Sequence, residues 1–196
     1  MFERIALAGA EVLYAEHWLP APQADAWFAA LHSAIDWEVH QIRLFGRLVA
    51  SPRLSSWIGD AEASYRYSGT RFQPKPWPAG MPALREQVST AAGERFNSVL
   101  ANLYRDGGDA MGWHSDDERE LGAQPVIASL SLGASRRFLL KRRDGSGETR
   151  PLQLVHGSLL LMRGDTQRLY RHALPRTRKP VGPRINLTFR RIAARP

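Results

Sequence analysis

His114-Ser115-Asp116 sets an imidazole and a carboxylate two residues apart. In an extended segment both fall on one face, because side chains alternate along a strand. Together they can grip one metal ion, and either His156 or His172 can supply a third ligand. Two His and one carboxylate leave coordination positions open, the facial arrangement of non-haem Fe(II) oxygenases. The same donors suit hydrolytic zinc. A lone His-x-Asp, continued here by Asp117 and Glu118, also suits an ordinary acidic surface loop. The second reactive tract is Arg184-Ile185-Asn186-Leu187-Thr188-Phe189-Arg190. Its alternation puts Arg184, Asn186, Thr188 and Arg190 on one strand face, and Ile185, Leu187 and Phe189 on the other. Two aligned guanidinium forks with an amide and a hydroxyl between them suit a small dianion. Taken alone, the same pattern describes the solvated face of an antiparallel strand.

The two tracts explain each other. An open facial iron site needs a co-substrate that fills two positions and carries charge away from the metal. 2-Oxoglutarate does this: its keto-acid end chelates iron, and its distal carboxylate requires a cation. Arg184 and Arg190 supply cations shortly after His172, while Asn102 and Tyr104 share a strand face just upstream of His114. Zinc hydrolysis leaves the paired arginines without a purpose.

These side chains must be held by a β-rich framework. Short strands are predicted at 96–104, 126–132, 138–142, 152–155, 158–162 and 184–192. Asp106-Gly107-Gly108, Gly133, Asp144-Gly145, His156-Gly157 and Gly164-Asp165 separate them with turn chemistry. Many short strands with frequent turns predict a sandwich or double-sheet barrel. Pro20-Ala21-Pro22 opens a helix over about 22–35, with Trp27, Phe28, Leu31 and Ile35 as its apolar stripe. A second helix runs over about 82–92 and stops at Gly93. Between them, 37–67 reads as hairpins and loops. The class is α+β, mainly β, with helices flanking one sheet.

Composition narrows the function classes. The 196 residues suit one domain, about 1–95 forming an N-terminal extension and about 96–192 the β core. No cysteine is present, which excludes disulfides, a thiolate nucleophile and cysteine-held metal. No apolar run reaches membrane-spanning length, and the first residues lack a secretory pattern, so a cytoplasmic, membrane-free protein is expected. The 27 Lys and Arg against 19 Asp and Glu give a net charge of +8, which favours a polyanionic partner. Arg136-Arg137, Lys141-Arg142-Arg143 and Arg176-Thr177-Arg178-Lys179 are basic clusters. Each is explained as a solvated face or as a set of phosphate contacts. His17, His32 and His40 have no ligand-like neighbours and read as packing or surface residues.

The ordered tracts Asn102–Gly107, Met111–Glu118, His156–Leu160, His172–Pro175 and Pro183–Arg190 resemble the AlkB-type Fe(II)/2-oxoglutarate-dependent nucleic-acid demethylases, over about residues 36–192. The resemblance implies a double-stranded β-helix, or jelly roll, with flanking helices and a nucleotide-recognition lid of hairpins. It implies iron ligation by His114, Asp116 and His172, which sets His156 aside. It implies a 2-oxoglutarate pocket of Asn102, Tyr104, Arg184, Asn186, Thr188 and Arg190, with Arg184 on the distal carboxylate. The cofactors implied are Fe(II), 2-oxoglutarate and O2.

A further set resembles the substrate side of the DNA-repair branch. Tyr65-Arg66-Tyr67-Ser68-Gly69 is similar to the lid, and Gln41–Gly46 to a hairpin whose apolar tip fills the gap left by an extruded base. By that resemblance Phe45 and Gly46 form the tip, Tyr65 and Tyr67 stack on the flipped base beside Arg66, and Asp117 accepts hydrogen bonds from an exocyclic amine, next to Glu118. An enzyme acting on a base edge must take the base out of its stack, at a cost of a few kcal/mol. Each aromatic also has an ordinary explanation, Phe45 in a core and the tyrosines in cross-strand packing. His114-Ser115-Asp116-Asp117-Glu118 is similar to the branch that prefers single strands and accepts RNA. The expected activity is oxidative demethylation of 1-methyladenine and 3-methylcytosine type lesions in DNA by a monomer, with release of formaldehyde, succinate and CO2. The alternatives are the same chemistry on RNA or protein, a non-catalytic nucleic-acid binder, and a zinc hydrolase.

Overall fold

The computed structural model describes residues 1–44, 47–63, 65–67 and 70–193, with side chains given outside 42–48 and 64–72. In chain order the elements begin with strands β1 (Glu3–Ile5) and β2 (Glu11–Ala15) and helix α1 (Ala21–Ala34). Five short strands follow: β3 (Gln41–Leu44), β4 (Arg47–Ala50), β5 (Leu54–Gly59), β6 (Tyr65–Tyr67) and β7 (Thr70–Phe72). After helix α2 (Met81–Ala92) come β8 (Ser98–Tyr104), β9 (Met111–His114), β10 (Ile127–Gly133), β11 (Arg136–Arg142), β12 (Arg150–Leu154) and β13 (Leu159–Arg163). The short helix α3 (Thr166–Leu169), β14 (Tyr170–Leu174) and β15 (Arg184–Arg190) complete the chain.

Two antiparallel sheets form the body. The larger has the order β1-β2-β13-β10-β15-β8-β5, and the smaller β12-β11-β14-β9. Neighbours such as β8 and β15 of the large sheet are far apart in sequence, and the chain between them passes repeatedly through the small sheet, as a double-stranded β-helix requires. Phe138, Leu140, Leu152 and Leu154 of the small sheet cluster with Ile127, Leu160 and Met162 of the large one, which sets the sheets face to face. The pairs β3–β4 and β6–β7 form two separate two-stranded sheets, within the span read from the sequence as hairpins and loops.

The outer face of the large sheet explains the helices. Leu31 of α1 and Met81, Leu84 and Val88 of α2 bury against Ile185, Leu187 and Phe189 of β15. Fully burying an aliphatic or aromatic side chain contributes about 1.5–3 kcal/mol, so this apolar layer holds β15 firmly. Pro22 sits in the first turn of α1. Gly93 closes α2 at φ 62°, a left-handed geometry that favours glycine. Both helices lie within one residue of the predicted spans.

β15 is buried along its whole length, on both faces. The solvated-face explanation of its polar residues therefore fails: they point into the space between the sheets. β14, which carries His172, and the N-terminal strands β1 and β2 were not anticipated from the sequence. No helix among the described residues is long and apolar enough to cross a membrane.

Candidate active site

His114 ends β9 and His172 lies on β14, and the two are directly opposed in the antiparallel register. Opposed residues project to the same face, so the rings meet edge to face with centroids 4.2 Å apart. Asp116 follows two residues after β9, and its carboxylate turns back toward the rings. Ligand atoms from His114, Asp116 and His172 all lie within 4.8 Å of one another, the one such group found among the described residues. His156 is elsewhere: its Nδ1 accepts the Gly133 N–H at 2.8 Å and its Nε2 faces Asp25 at 3.1 Å. It anchors the turn at the end of β10.

The surroundings prepare these three groups to coordinate. The Gly112 carbonyl, 2.8 Å from His114 Nδ1, can only accept, so Nδ1 carries the proton and Nε2 keeps its lone pair. Burial lowers the pKa of His114. Burial, reinforced by the neighbouring His114, pushes His172 down to about 3, which keeps its imidazole neutral. Asp116 is opposed by burial, but the Arg190 guanidinium overcomes this and holds its carboxyl below the usual range. Arg190 donates directly to Asp116 Oδ1, while Oδ2 stands 3.6 Å from His172 Nε2. The Asp116 N–H donates to Gln167 Oε1 at 2.9 Å.

The same cavity extends to Arg184 and is lined by Tyr104, Asn186, Thr188 and Arg190. Arg184 is 1% exposed. Its NH2 donates to Ser131 Oγ at 2.9 Å, and its Cζ lies 5.3 Å from the centroid of the Tyr104 ring. Its Nε and NH1 are buried with no hydrogen-bond partner among the described residues. Burial lowers its pKa to about 10. A buried cation with unused donors is costly unless an anion completes it. Asn186 donates to Ser129 Oγ and to the Leu130 carbonyl, and accepts from Thr188. Asn102 lies on the same strand face, opposite Asn186, but does not line the cavity. Its Oδ1 accepts Arg53 Nε at 2.7 Å. The sequence did not single out Arg53.

Asp117 pairs with Arg143, and both line a second surface depression and not the Arg184 cavity. Burial raises the pKa of Glu118, whose Oε2 has no hydrogen-bond partner among the described residues. Tyr65, Arg66 and Tyr67 form β6, paired with β7. Phe45 and Gly46 lie outside the described residues. The basic clusters divide. Arg136 is buried and donates to the carbonyls of Asp106, Asp109 and Pro175, so it braces loops and is no phosphate contact. Arg137, Arg176, Arg178 and Lys179 are exposed. Gln167 was missed: nothing in Thr166-Gln167-Arg168-Leu169 announces a side chain aimed at a distant backbone.

Two imidazole nitrogens and a carboxylate oxygen fit Fe(II), a metal of mixed N/O sites with open positions. The orphaned donors of Arg184 fit the distal carboxylate of 2-oxoglutarate. Comparison with known proteins agrees with this donor set. Residues 11–190 match the 2OG-Fe(II) oxygenase superfamily. The DNA oxidative demethylase ALKBH2 of Mus musculus is 39% identical over 181 residues, covering 87% of this chain and 75% of that protein. The Homo sapiens ALKBH2 is 39% identical over 180 residues, and the chain spans 69% of its length. The chain spans 65% of the Bos taurus protein. The alpha-ketoglutarate-dependent dioxygenase alkB homolog 3 of Homo sapiens is 40% identical over 150 residues, 72% of this chain and 52% of that protein. The solved structure of OsALKBH1 superimposes with a TM-score of 0.67 over 97% of this chain and all of that one, at 16% identity, and so shares the fold. This chain belongs to the 2OG-Fe(II) oxygenase superfamily, as an AlkB-type dioxygenase.

Proposed function

We propose that the chain is an oxidative demethylase of N-alkylated bases in DNA, with His114, Asp116 and His172 holding Fe(II) and Arg184 receiving the distal carboxylate of 2-oxoglutarate. One observation carries the reading: a neutral-imidazole and carboxylate donor set shares one cavity with a buried arginine whose Nε and NH1 have no partner among the described residues. DNA as substrate rests on the relatives named DNA oxidative demethylase and on the net charge of +8. Iron with 2-oxoglutarate and O2 supplies the oxidation, yielding succinate, CO2 and an N-hydroxymethyl base that sheds formaldehyde.

The chain's part is geometry. Arg190 fixes one carboxylate oxygen of Asp116 and leaves the other facing His172. Gly112 holds the His114 ring so that Nε2 faces inward. Thr188 and Asn186 brace the polar floor beside Arg184. Met111, Phe138, Leu154 and Leu174 give the cavity apolar walls, which lowers the local polarity and strengthens the charge interactions inside. Asp117, aligned by Arg143, accepts the exocyclic amine of the flipped base. Glu118 stands beside it. Tyr65 and Tyr67 stack on the base next to Arg66, and Phe45 with Gly46 fills the vacated gap. These substrate roles rest on the resemblance of those tracts.

The test is formaldehyde release from a panel of methylated DNA, RNA and peptide. The expected result is release from 1-methyladenine and 3-methylcytosine DNA, dependent on Fe(II), 2-oxoglutarate and O2. Release from RNA or peptide alone would transfer the reading to those substrates. Release without O2 or 2-oxoglutarate would end it.

A further inference from the structure

Three consecutive residues around Asp116 are tied to one short stretch of chain. Ser115 Oγ donates to the Tyr170 carbonyl at 2.8 Å. The Asp116 N–H donates to Gln167 Oε1 at 2.9 Å. Asp117 accepts from Arg143, whose NH1 also donates to the Gln167 carbonyl at 3.3 Å. The stretch that receives them is α3 and the first residue of β14, and His172 follows two residues later. Gln167 is 1% exposed, and its Nε2 lies 3.5 Å from Met162 Sδ. An N–H facing a thioether, a weak acceptor, and an oxygen facing a backbone donor is the orientation the two partners dictate.

We propose that Gln167 is a positioning residue of the metal centre, holding the Asp116 backbone so that its carboxylate meets His172. Asp116 lies past the end of β9, so no ladder bond fixes its peptide. Its N–H is buried and needs an acceptor. Arg190 fixes the carboxylate end of the residue and Gln167 the backbone end; two points define the direction of a short side chain. Gln167 and His172 share one stretch, so the clamp also sets the spacing between two ligands. The clamp has its own anchor. Thr166, 1% exposed, accepts the Glu11 N–H at 3.1 Å and donates to the Arg163 carbonyl at 2.5 Å, tying α3 to the large sheet.

The inference rests on the assignment of His114, Asp116 and His172 as ligands, so its test avoids turnover. The purified full chain is titrated with Co(II) alone and followed by its ligand-field absorption, as wild type, Gln167→Met and Gln167→Glu. Met keeps the shape and apolar fit beside Met162 but offers no oxygen; Glu keeps the acceptor. Gln167→Met is expected to bind Co(II) about 10- to 100-fold more weakly, the usual loss when a group supporting a ligand is removed, with an altered band. Gln167→Glu is expected to return toward wild type. Amide exchange at Asp116 in the metal-free protein is expected to be slow in wild type and in Gln167→Glu, and fast in Gln167→Met. Equal Co(II) affinity in wild type and Gln167→Met, or equal weakening by Met and Glu, overturns the role of Gln167 while leaving the ligand set intact. A wild type that takes up no Co(II) overturns the ligand set itself, and the proposal with it.

Discussion

Arg184 is the residue whose environment makes the sharpest demand. It is a buried cation with two donors, Nε and NH1, that find no partner among the described residues. Replacing it by methionine should therefore raise the melting temperature of the protein without ligands, because well-packed apolar groups often match or exceed buried charges in stability. The same change should raise KM for 2-oxoglutarate about 30-fold or more, since removing one partner of a buried charged pair costs about 2–5 kcal/mol. Thermal melts and 2-oxoglutarate kinetics check both; a lower melting temperature with unchanged KM would contradict the assignment. Asp116→Ala should abolish 2-oxoglutarate turnover and methyl removal. At this scale the sequence was informative because reactive side chains occurred at alternating spacing: His114 with Asp116, and Arg184 through Arg190. Gln167 and Arg53 were invisible because each acts on an atom far along the chain, Asp116 N–H and Asn102 Oδ1. Only the fold brings those atoms within reach.

Elements place the residues, and the link between β8 and β9 shows how. Asp109, 5% exposed, accepts Arg105 N–H, Nε and NH2, each at 2.9 Å, which shapes the turn joining Tyr104 to His114. Burial works to raise the Asp109 pKa, but the hydrogen bonds from Arg105 prevail and hold it below the usual value of 3.8. A carboxyl lowered on folding adds stability above its unfolded pKa and loses it as pH falls through its folded one. Asp109→Asn should therefore cost about 1–2 kcal/mol at pH 7, discounted because Arg105 is half exposed. The difference from wild type should shrink below pH 3.8. Denaturant melts at pH 7 and pH 3 measure it. Strands β8, β10, β13 and β15 were legible as apolar or alternating runs between glycine turns. Gly133 ends β10 at φ 86°, where a Cβ would meet the Pro183 carbonyl at 2.5 Å. β14 was not legible: the short helix α3 runs directly into it with no turn residue between. β1, at three residues, is too short to show a period.

At the scale of the whole molecule, a net charge of +8 surrounds a cavity whose own ligands are neutral or anionic. Affinity for DNA should fall steeply with salt. Neutralising even two phosphates predicts about a tenfold loss between 50 and 200 mM, readable by fluorescence anisotropy. A flat salt profile would remove the polyanion from the account. Phe45 lies outside the described residues, and its resemblance to a base-gap wedge predicts a test: Phe45→Ala should reduce activity on duplex more than on single strands. Equal loss on both would make Phe45 a packing residue. The central claim is that one cavity joins a His114–Asp116–His172 iron site to a 2-oxoglutarate pocket ending at Arg184. An anaerobic titration with Fe(II) and 2-oxoglutarate tests it most directly. The account predicts a visible absorption band in the wild type that His172→Ala abolishes and that Arg184→Met displaces to much higher 2-oxoglutarate concentration. No band in the wild type, or one that survives the loss of His172, would contradict it.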